Sequence, residues 1–227
     1  MINVSNEFKK LMEERQDFKC NAEVTLANGT VLTLGEDDFS IDNNSLVDAA
    51  GANTIPLGVA LSRNVQLEIM NDDDHLSDYD FFGGKIRLYL TFELSSTTEK
   101  IEYGTFTVTQ PETYGSVVTI VGYDDMYKAD KTYSTTLTFP ATAKSVLIDS
   151  CDTCGILIGD SNFLHNDFQI PSMPSSEYTH RQIIGFIAMI ACGNARIDRT
   201  GHLQIMTYDF NYTSGNIHDL TDYNTLT

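Results

Sequence analysis

Between Cys20 and Tyr123 the sequence switches repeatedly between short runs of β-forming residues and short runs of turn residues. In CNAEVTLANGTVLTL, Asn28 and Gly29 separate two such runs, and this pair is typical of a tight β-hairpin. Later runs such as NVQLEIM and KIRLYLTFEL alternate apolar and polar residues, as half-buried strands do. About six or seven strands fit in this region, at the spacing of an antiparallel barrel or sandwich.

A helix is predicted before these strands, in SNEFKKLMEERQDF. Ser5 is suited to cap it, and Phe8, Leu11 and Met12 fall on one face. A second pattern begins near Lys131, where Pro140 and Thr142 precede another predicted helix. Gly155 is suited to end that helix, and the apolar run from 156 to 158 predicts a short strand.

A further helix begins at Thr179, which forms a capping box with Gln182. It is apolar nearly all round, so we expect it to be buried between layers. Gly193 stands where a left-handed residue would end it. Asp198-Arg199-Thr200-Gly201 then predicts a hairpin turn, and the residues expected to face the helix are Ala195, Ile197, Leu203 and Ile205.

These patterns predict a β-rich α+β fold in which an antiparallel β-barrel or sandwich precedes a small unit of two helices and a hairpin. We place the N-terminal helix and the barrel in residues 1–130, and the small α+β unit in residues 131–210. Residues 211–227 are expected to start a further segment that is cut short.

The formal net charge of -18 narrows the possible binding partners. Nucleic acids and anionic lipids are bound through clustered Lys and Arg, and the chain has 14 of these against 32 Asp and Glu. The N-terminus carries charges where a signal peptide has its apolar region, and no stretch reaches the ~18 apolar residues of a membrane span. We therefore expect synthesis in the cytoplasm, with the four cysteines as free thiols.

Cys151 and Cys154 form a CxxC pair at the predicted C-terminal end of a helix. In redox proteins the reactive cysteine lies at a helix N-terminus, where the helix dipole lowers its pKa. Packing is therefore the favoured role, with metal binding and redox chemistry as open alternatives. Cys192 is expected to be a small core residue.

The loop NDDDHLSDYD offers carboxylate oxygens, which calcium prefers. Its candidate ligands are Asp72, Asp74, Asp78 and Asp80. The loop lacks the glycine at position six and the glutamate at position twelve of an EF-hand. An acidic loop between strands is the favoured interpretation, and a weak calcium site is the alternative.

The sequence offers no pattern that predicts catalysis. It contains no GxGxxG, GxxxxGK[ST], GxSxG or HExxH motif. His180, in the first turn of a helix, and His202, beside a hairpin turn, are expected at the surface. We therefore predict no catalytic residue, no cofactor-binding residue and no cofactor.

Five segments between residues 55 and 205 form an ordered series, namely IPLGVALSRNVQLEIMN, DYDFFGGKIRLYL, EYGTFTV, VGYDDMYKADKTY and YTHRQIIGFIAMIACGNARIDRTGHLQI. In this order they resemble the phage tail hub, or baseplate hub, family, which includes the N-terminal domains of siphophage tail-associated proteins. Hub proteins are adaptors between the tail tube and the spike or tip.

The resemblance implies a tail-tube-like barrel followed by a small α/β domain, acting as a non-enzymatic scaffold. It implies a homo-trimer of the full-length protein, in contact with tail tube, distal tail and spike or tip proteins. It also implies assembly in the bacterial host cytoplasm and a final place in the virion tail tip. DNA would pass an acidic lumen without binding, and no membrane is involved. The alternatives are positioning domains of a tail-associated cell-wall hydrolase, or a carbohydrate- or calcium-binding β domain.

Overall fold

The structure, a computed structural model, describes residues 4–13, 19–48, 57–94, 97–110, 114–173 and 177–208. The end of the predicted N-terminal helix after Glu13 and the whole segment 211–227 lie outside the described residues.

The described residues form three α-helices and thirteen strands. The helices are α1 Asn6–Glu13, α2 Ala143–Cys154 and α3 His180–Ile190. The strands are β1 Lys19–Thr25, β2 Val31–Leu34, β3 Ser45–Val47, β4 Ala60–Leu61, β5 Asn64–Met70, β6 Lys85–Glu93, β7 Thr98–Val108, β8 Val117–Tyr123, β9 Ala141–Thr142, β10 Leu157–Ile158, β11 Gln169–Ile170, β12 Gly193–Ile197 and β13 His202–Thr207. No helix among them is long and apolar enough to cross a membrane.

Seven strands form one antiparallel sheet in the order β2-β1-β6-β7-β8-β5-β3. The Asn28-Gly29 turn joins β1 to β2 as predicted, and Gly29 takes a φ of 88° that suits a residue without a Cβ. Residues of β5 alternate strictly between partly buried and buried positions. The β-rich α+β class is therefore confirmed.

The sheet curls, but its end strands β2 and β3 are not paired with each other in the described residues. Leu34 pairs with β1, and Phe39 already bridges Ile69 of β5 near the opposite end. Five residues span at most about 17 Å. In a flat sheet the five strand intervals between β2 and β5 would span about 24 Å. The sheet must therefore bend into a partly open barrel.

One hydrophobic core lies within the curled sheet and a second under the helices. The second core, which we call the helical core, lies between α2, α3 and a four-stranded sheet of order β10-β13-β12-β4. Ala60, Met126 and Ala129 belong to the helical core although they precede Lys131 in sequence. The division at residue 130 stays a prediction.

The predicted helix caps are present. The Ser5 hydroxyl accepts a hydrogen bond from the Phe8 N–H, and the Thr142 hydroxyl accepts one from the Ser145 N–H. Thr179 and Gln182 form the reciprocal capping box, in which the Gln182 side chain accepts from the Thr179 N–H at 2.8 Å.

The prediction that Gly193 is the left-handed residue after α3 is wrong. Cys192 takes that conformation, with a φ of 53°, and it is only partly buried. Gly193 instead begins β12, where an added Cβ would lie 1.9 Å from the carbonyl oxygen of Met206. The glycine is needed for close strand pairing and not for its φ angle.

The expected burial of α3 on all sides also fails, because Phe186 and Met189 are exposed. His180 is the opposite case, since its predicted exposure is wrong and it is fully buried. Residues 131–133 pair with the chain entering α3, where the His180 N–H donates to the Lys131 carbonyl and Tyr133 donates to Tyr178. The His180 ring lies edge-on to Tyr133, with ring centroids 5.0 Å apart.

We expect the free energy of unfolding to fall as the pH drops below about 6.5, the value of an unfolded histidine. Burial lowers the pKa of His180, the Lys131 charge lowers it further, and Asp149 opposes the shift. The unfolded chain therefore binds the proton first, and stability is fully present only above the unfolded pKa. Urea titrations between about pH 5 and pH 8 would measure this fall in the free energy of unfolding, and the fall should be smaller in His180→Gln. Equal slopes in the wild type and His180→Gln would contradict the assignment.

Candidate functional site

Arg63 and Asp124 lie side by side at one end of the β5–β8 ladder. The last pair of that ladder is Asn64 with Tyr123, so the residue before β5 faces the residue after β8. Arg63 is 4% exposed and Asp124 is fully buried. Two buried opposite charges at a strand end form the most unusual polar feature of the described chain.

The Asp124 carboxylate is satisfied from several directions. One oxygen accepts the Arg63 backbone N–H at 2.9 Å and lies 3.6 Å from the Arg63 Nε, an electrostatic contact rather than a hydrogen bond. The other oxygen accepts from the Ser62 hydroxyl at 3.0 Å and from the Met126 N–H at 3.2 Å. Asp124 thereby caps the 3-10 turn Asp125–Ala129, whose Met126 lies in the helical core.

Burial raises the pKa of the Asp124 carboxyl. Hydrogen bonds from Arg63, Ser62 and Met126 and the Arg63 charge oppose this shift without cancelling it. The pair therefore depends on its complete set of donors, because an isolated carboxylate is costly to bury.

The Arg63 guanidinium connects the two cores. Its Nη1 donates to the Tyr103 carbonyl of β7 at 3.0 Å, and its Nη2 donates to the Asp198 carbonyl in the β12–β13 turn at 3.1 Å. The guanidinium carbon lies 5.5 Å from the centre of the Phe106 ring. At Gly104 a Cβ would lie 2.7 Å from the Phe106 ring and 3.2 Å from Nη2, so a glycine leaves room for the arginine.

The β12–β13 turn is shaped by its own aspartate. The Asp198 carboxylate accepts from the N–H groups of Thr200 at 2.8 Å and His202 at 3.0 Å, and from the Gln204 side chain at 3.1 Å. Burial raises the pKa of Asp198, but these hydrogen bonds outweigh burial and place the pKa below its ordinary value. The turn therefore presents a fixed carbonyl to Arg63.

Arg199 adds a second contact between this turn and β7. Its guanidinium lies 4.9 Å from the centre of the Tyr103 ring, and its Nη1 is 3.5 Å from the Glu102 carbonyl. We call Arg63, Asp124 and their partners in β7 and the β12–β13 turn the Arg63–Asp124 junction. The Arg63 and Asp124 charges are buried and form contacts within the chain, so the junction has the character of a structural element that connects the two cores.

The four calcium candidates, Asp72, Asp74, Asp78 and Asp80, are exposed in the loop after β5. Asp74 contacts the Ser77 hydroxyl, and Asp80 accepts the Phe82 N–H at 3.0 Å. The described residues contain no group of three or more His, Cys, Asp or Glu placed to hold a metal ion. The calcium site stays a prediction.

The described surroundings of the cysteine pair, of Arg181 and of His202 all come from the chain itself. Burial raises the pKa of Cys151 to about 12, and burial also raises that of Cys154, as expected of packing cysteines in the helical core. Arg181 forms an ion pair with Asp130 at 3.0 Å. The His202 ring lies 3.0 Å from the Thr200 hydroxyl.

The sequence reasoning missed the Arg63–Asp124 junction. The available signal was a lone arginine within the apolar stretch IPLGVALSRNVQLEIM, together with an aspartate directly after a buried strand. Neither residue belongs to a known short motif, and 61 positions separate them.

Ion pairs on the outward face of the seven-stranded sheet differ from this junction. Arg87 donates to Glu102 at 3.1 Å and lies 3.4 Å from Glu23, which Lys100 also contacts at 3.4 Å. The Arg87 side chain is about half exposed. Because these charges remain partly in water, we expect each pair to contribute less than a fully buried pair does.

Comparison with known proteins gives similarities at the level of structure. The chain is similar to the 43 kDa tail protein of prophage MuSo2 from Shewanella oneidensis, at 12% identity and a TM-score of 0.47, covering 83% of this chain and 55% of that one. It is also similar to a tail protein from Neisseria meningitidis, at 11% identity and a TM-score of 0.48, covering 86% and 52%. A further similarity is to a Francisella PdpA–VgrG complex, at 11% identity and a TM-score of 0.47, covering 96% and 38%.

Tail proteins, one of them from a prophage, are thus among the solved structures to which the chain is similar. The chain spans about half the length of those two proteins. No protein-family model and no curated protein matches it. With TM-scores below 0.5, the structural similarities do not by themselves assign a function.

We expect Arg63→Met to lower the free energy of unfolding by about 3–5 kcal/mol, because it leaves the Asp124 charge buried and unpaired. Arg87→Met is the matched control and should cost distinctly less than Arg63→Met, because its partners stay partly in water and no fully buried charge is left unpaired. Urea denaturation measures both. The double variant Arg63→Met/Asp124→Asn should lose less than the sum of the two single variants, and strict additivity would contradict the pairing.

Proposed function

We propose that the chain is a non-enzymatic structural component of a phage or prophage tail tip, a hub that joins the tail tube to the spike or tip. One observation carries the proposal. Most of the segments that resemble the tail hub family meet at the Arg63–Asp124 junction.

Four of the five resembling segments supply the junction. Arg63 lies in IPLGVALSRNVQLEIMN, and Tyr103, whose carbonyl it binds, lies in EYGTFTV. Asp124 lies in VGYDDMYKADKTY, and Asp198 lies in the last segment. Segments far apart in sequence therefore meet at one buried contact. This supports the interpretation that the chain resembles the hub family because both share the same structural framework.

A scaffold role also agrees with the chemistry of the junction. In the junction, a buried arginine and a buried aspartate connect the two cores, and their polar groups form hydrogen bonds with backbone groups of the same chain. An adaptor between rigid partners needs such a fixed relation between its parts. A catalytic site would need reactive groups that face a substrate.

The finer parts of the proposal concern assembly. We propose that residues 1–130 and 131–210 act as two domains. The full-length protein would form a homo-trimer in contact with tail tube, distal tail and spike or tip proteins. The net charge of -18 suits a chain past which DNA moves without binding. The protein would be assembled in the host cytoplasm and carried in the virion.

Electron microscopy of particles from the phage or lysogen that encodes the chain tests the proposal. Gold-labelled antibody against the chain should mark the tail end distal to the head, and deletion of the gene should leave particles without finished tails. Arg87→Met should restore tails in the deletion strain, whereas Arg63→Met should restore few. Label on the heads alone, or normal tails after deletion, would overturn the proposal.

A zymogram on peptidoglycan distinguishes the scaffold role from the alternative of a cell-wall hydrolase. The purified chain should leave the wall material intact. Clearing by the chain alone would replace the scaffold role with that of a wall hydrolase.

A further inference from the structure

The curled sheet leaves an apolar cleft where its two ends approach each other. The floor of the cleft consists of core side chains from β5 and β6, and its walls come from β1, β3 and β7. The apolar lining includes Cys20, Leu46, Val65, Leu67, Leu88 and Tyr103, and the polar Asn44 and Ser45 lie beside Leu46. The cleft therefore opens directly onto the core of the seven-stranded sheet.

The cleft is large enough for bulky side chains. Its inner part has a volume of about 230 Å³, and an adjoining part of about 310 Å³ shares Cys20, Asn44 and Leu67 with it. A dry protein cavity of about 150 Å³ already binds benzene. The inner part alone therefore has room for one or two aliphatic side chains.

Two strand edges flank the cleft. The β1–β2 ladder starts at Ala22, so Lys19–Asn21 have no ladder partner on that side in the described residues. On the other side β3 is the last strand of the sheet and pairs only with β5. Strand edges present main-chain N–H and C=O groups that an extended peptide can bind.

The rim of the cleft is acidic and carries an exposed apolar side chain. The segment GEDDFSIDNNSLVD, residues 35–48, contains acidic residues and no Lys or Arg. Glu36 and Ile41 line the outer part of the cleft, and Ile41 is 100% exposed. A fully exposed isoleucine beside carboxylates suits contact with a partner that offers both apolar and basic groups.

We propose that this cleft binds an extended segment of a partner protein that places apolar side chains in the cleft and Lys or Arg against the rim. The strand edges favour an extended backbone, the apolar floor favours alternating apolar side chains, and the rim selects for positive charge. The cleft and its rim are the same whether or not the chain serves as a tail hub.

Selection from a displayed library of short random peptides on the full chain tests the proposal. Enriched peptides should alternate apolar residues and carry flanking Lys or Arg, and their binding should weaken with added salt. Enrichment of acidic peptides, binding that ignores salt, or no enrichment at all would overturn the proposal. A free fatty acid that displaces the peptide and binds with equal affinity would also overturn the proposal, because the cleft would then be a site for a small apolar ligand.

Adjacent residues of β3 supply a matched pair of variants. Leu46 lines the cleft, whereas Val47 is exposed. Leu46→Asn should raise the Kd of a selected peptide at least about tenfold, because it removes an apolar contact from the cleft and leaves the charge of the rim unchanged. Val47→Asn should change the Kd by less than about twofold. Equal effects of the two variants would contradict the cleft as the binding site.

Thiol footprinting gives a second measurement on the unaltered chain, in case Leu46→Asn fails to fold. Cys20 lines both parts of the cleft, and Cys192 is a partly buried cysteine outside it. Saturating peptide should slow alkylation of Cys20 by iodoacetamide several-fold and leave the rate at Cys192 unchanged. Unchanged or equally slowed rates at both would overturn the proposal.

Discussion

The buried pair of Arg63 and Asp124 holds the two hydrophobic cores in one arrangement. Either charge alone would be costly to bury. The pair is tolerated because a backbone N–H and a hydroxyl donate hydrogen bonds to the carboxylate, and two backbone carbonyls accept hydrogen bonds from the guanidinium. The carbonyls belong to Tyr103 in the seven-stranded sheet and Asp198 in the hairpin under the helices. The hydrogen bonds that stabilise the buried guanidinium thus also fix β7 relative to the β12–β13 turn.

The chain around Arg63 reinforces this link. β4 and β5 are separated by two residues, yet β4 pairs with β12 in the four-stranded sheet and β5 pairs with β8 in the larger one. Just before β4, the Val59 N–H donates to the Asn194 side chain at 2.9 Å. Gly58 and Gly185 approach so closely that a Cβ on Gly185 would lie 2.6 Å from the Gly58 carbonyl oxygen. One short segment is therefore fixed to both cores.

The sequence predicted features that depend on neighbours along the chain. The Asn28-Gly29 hairpin, the alternation in β5 and the Thr179–Gln182 capping box are all local, and each is present. The errors concern residues whose state depends on distant segments. Residues 131–133 bury His180, and the close pairing of β12 with β13 requires the glycine at 193. The Arg63–Asp124 junction joins segments from four parts of the chain, so periodicity and spacing carry no signal for it.

Native-state hydrogen exchange tests most directly whether the junction makes the two cores one cooperative unit. Amides of Ile120 in the sheet core and of Ile184 and Ala195 in the helical core report the two sides separately. We predict that, as denaturant is added, the opening free energies of these amides converge on one common value. A helical core that opens at a distinctly lower free energy, while the sheet core stays closed, would contradict it.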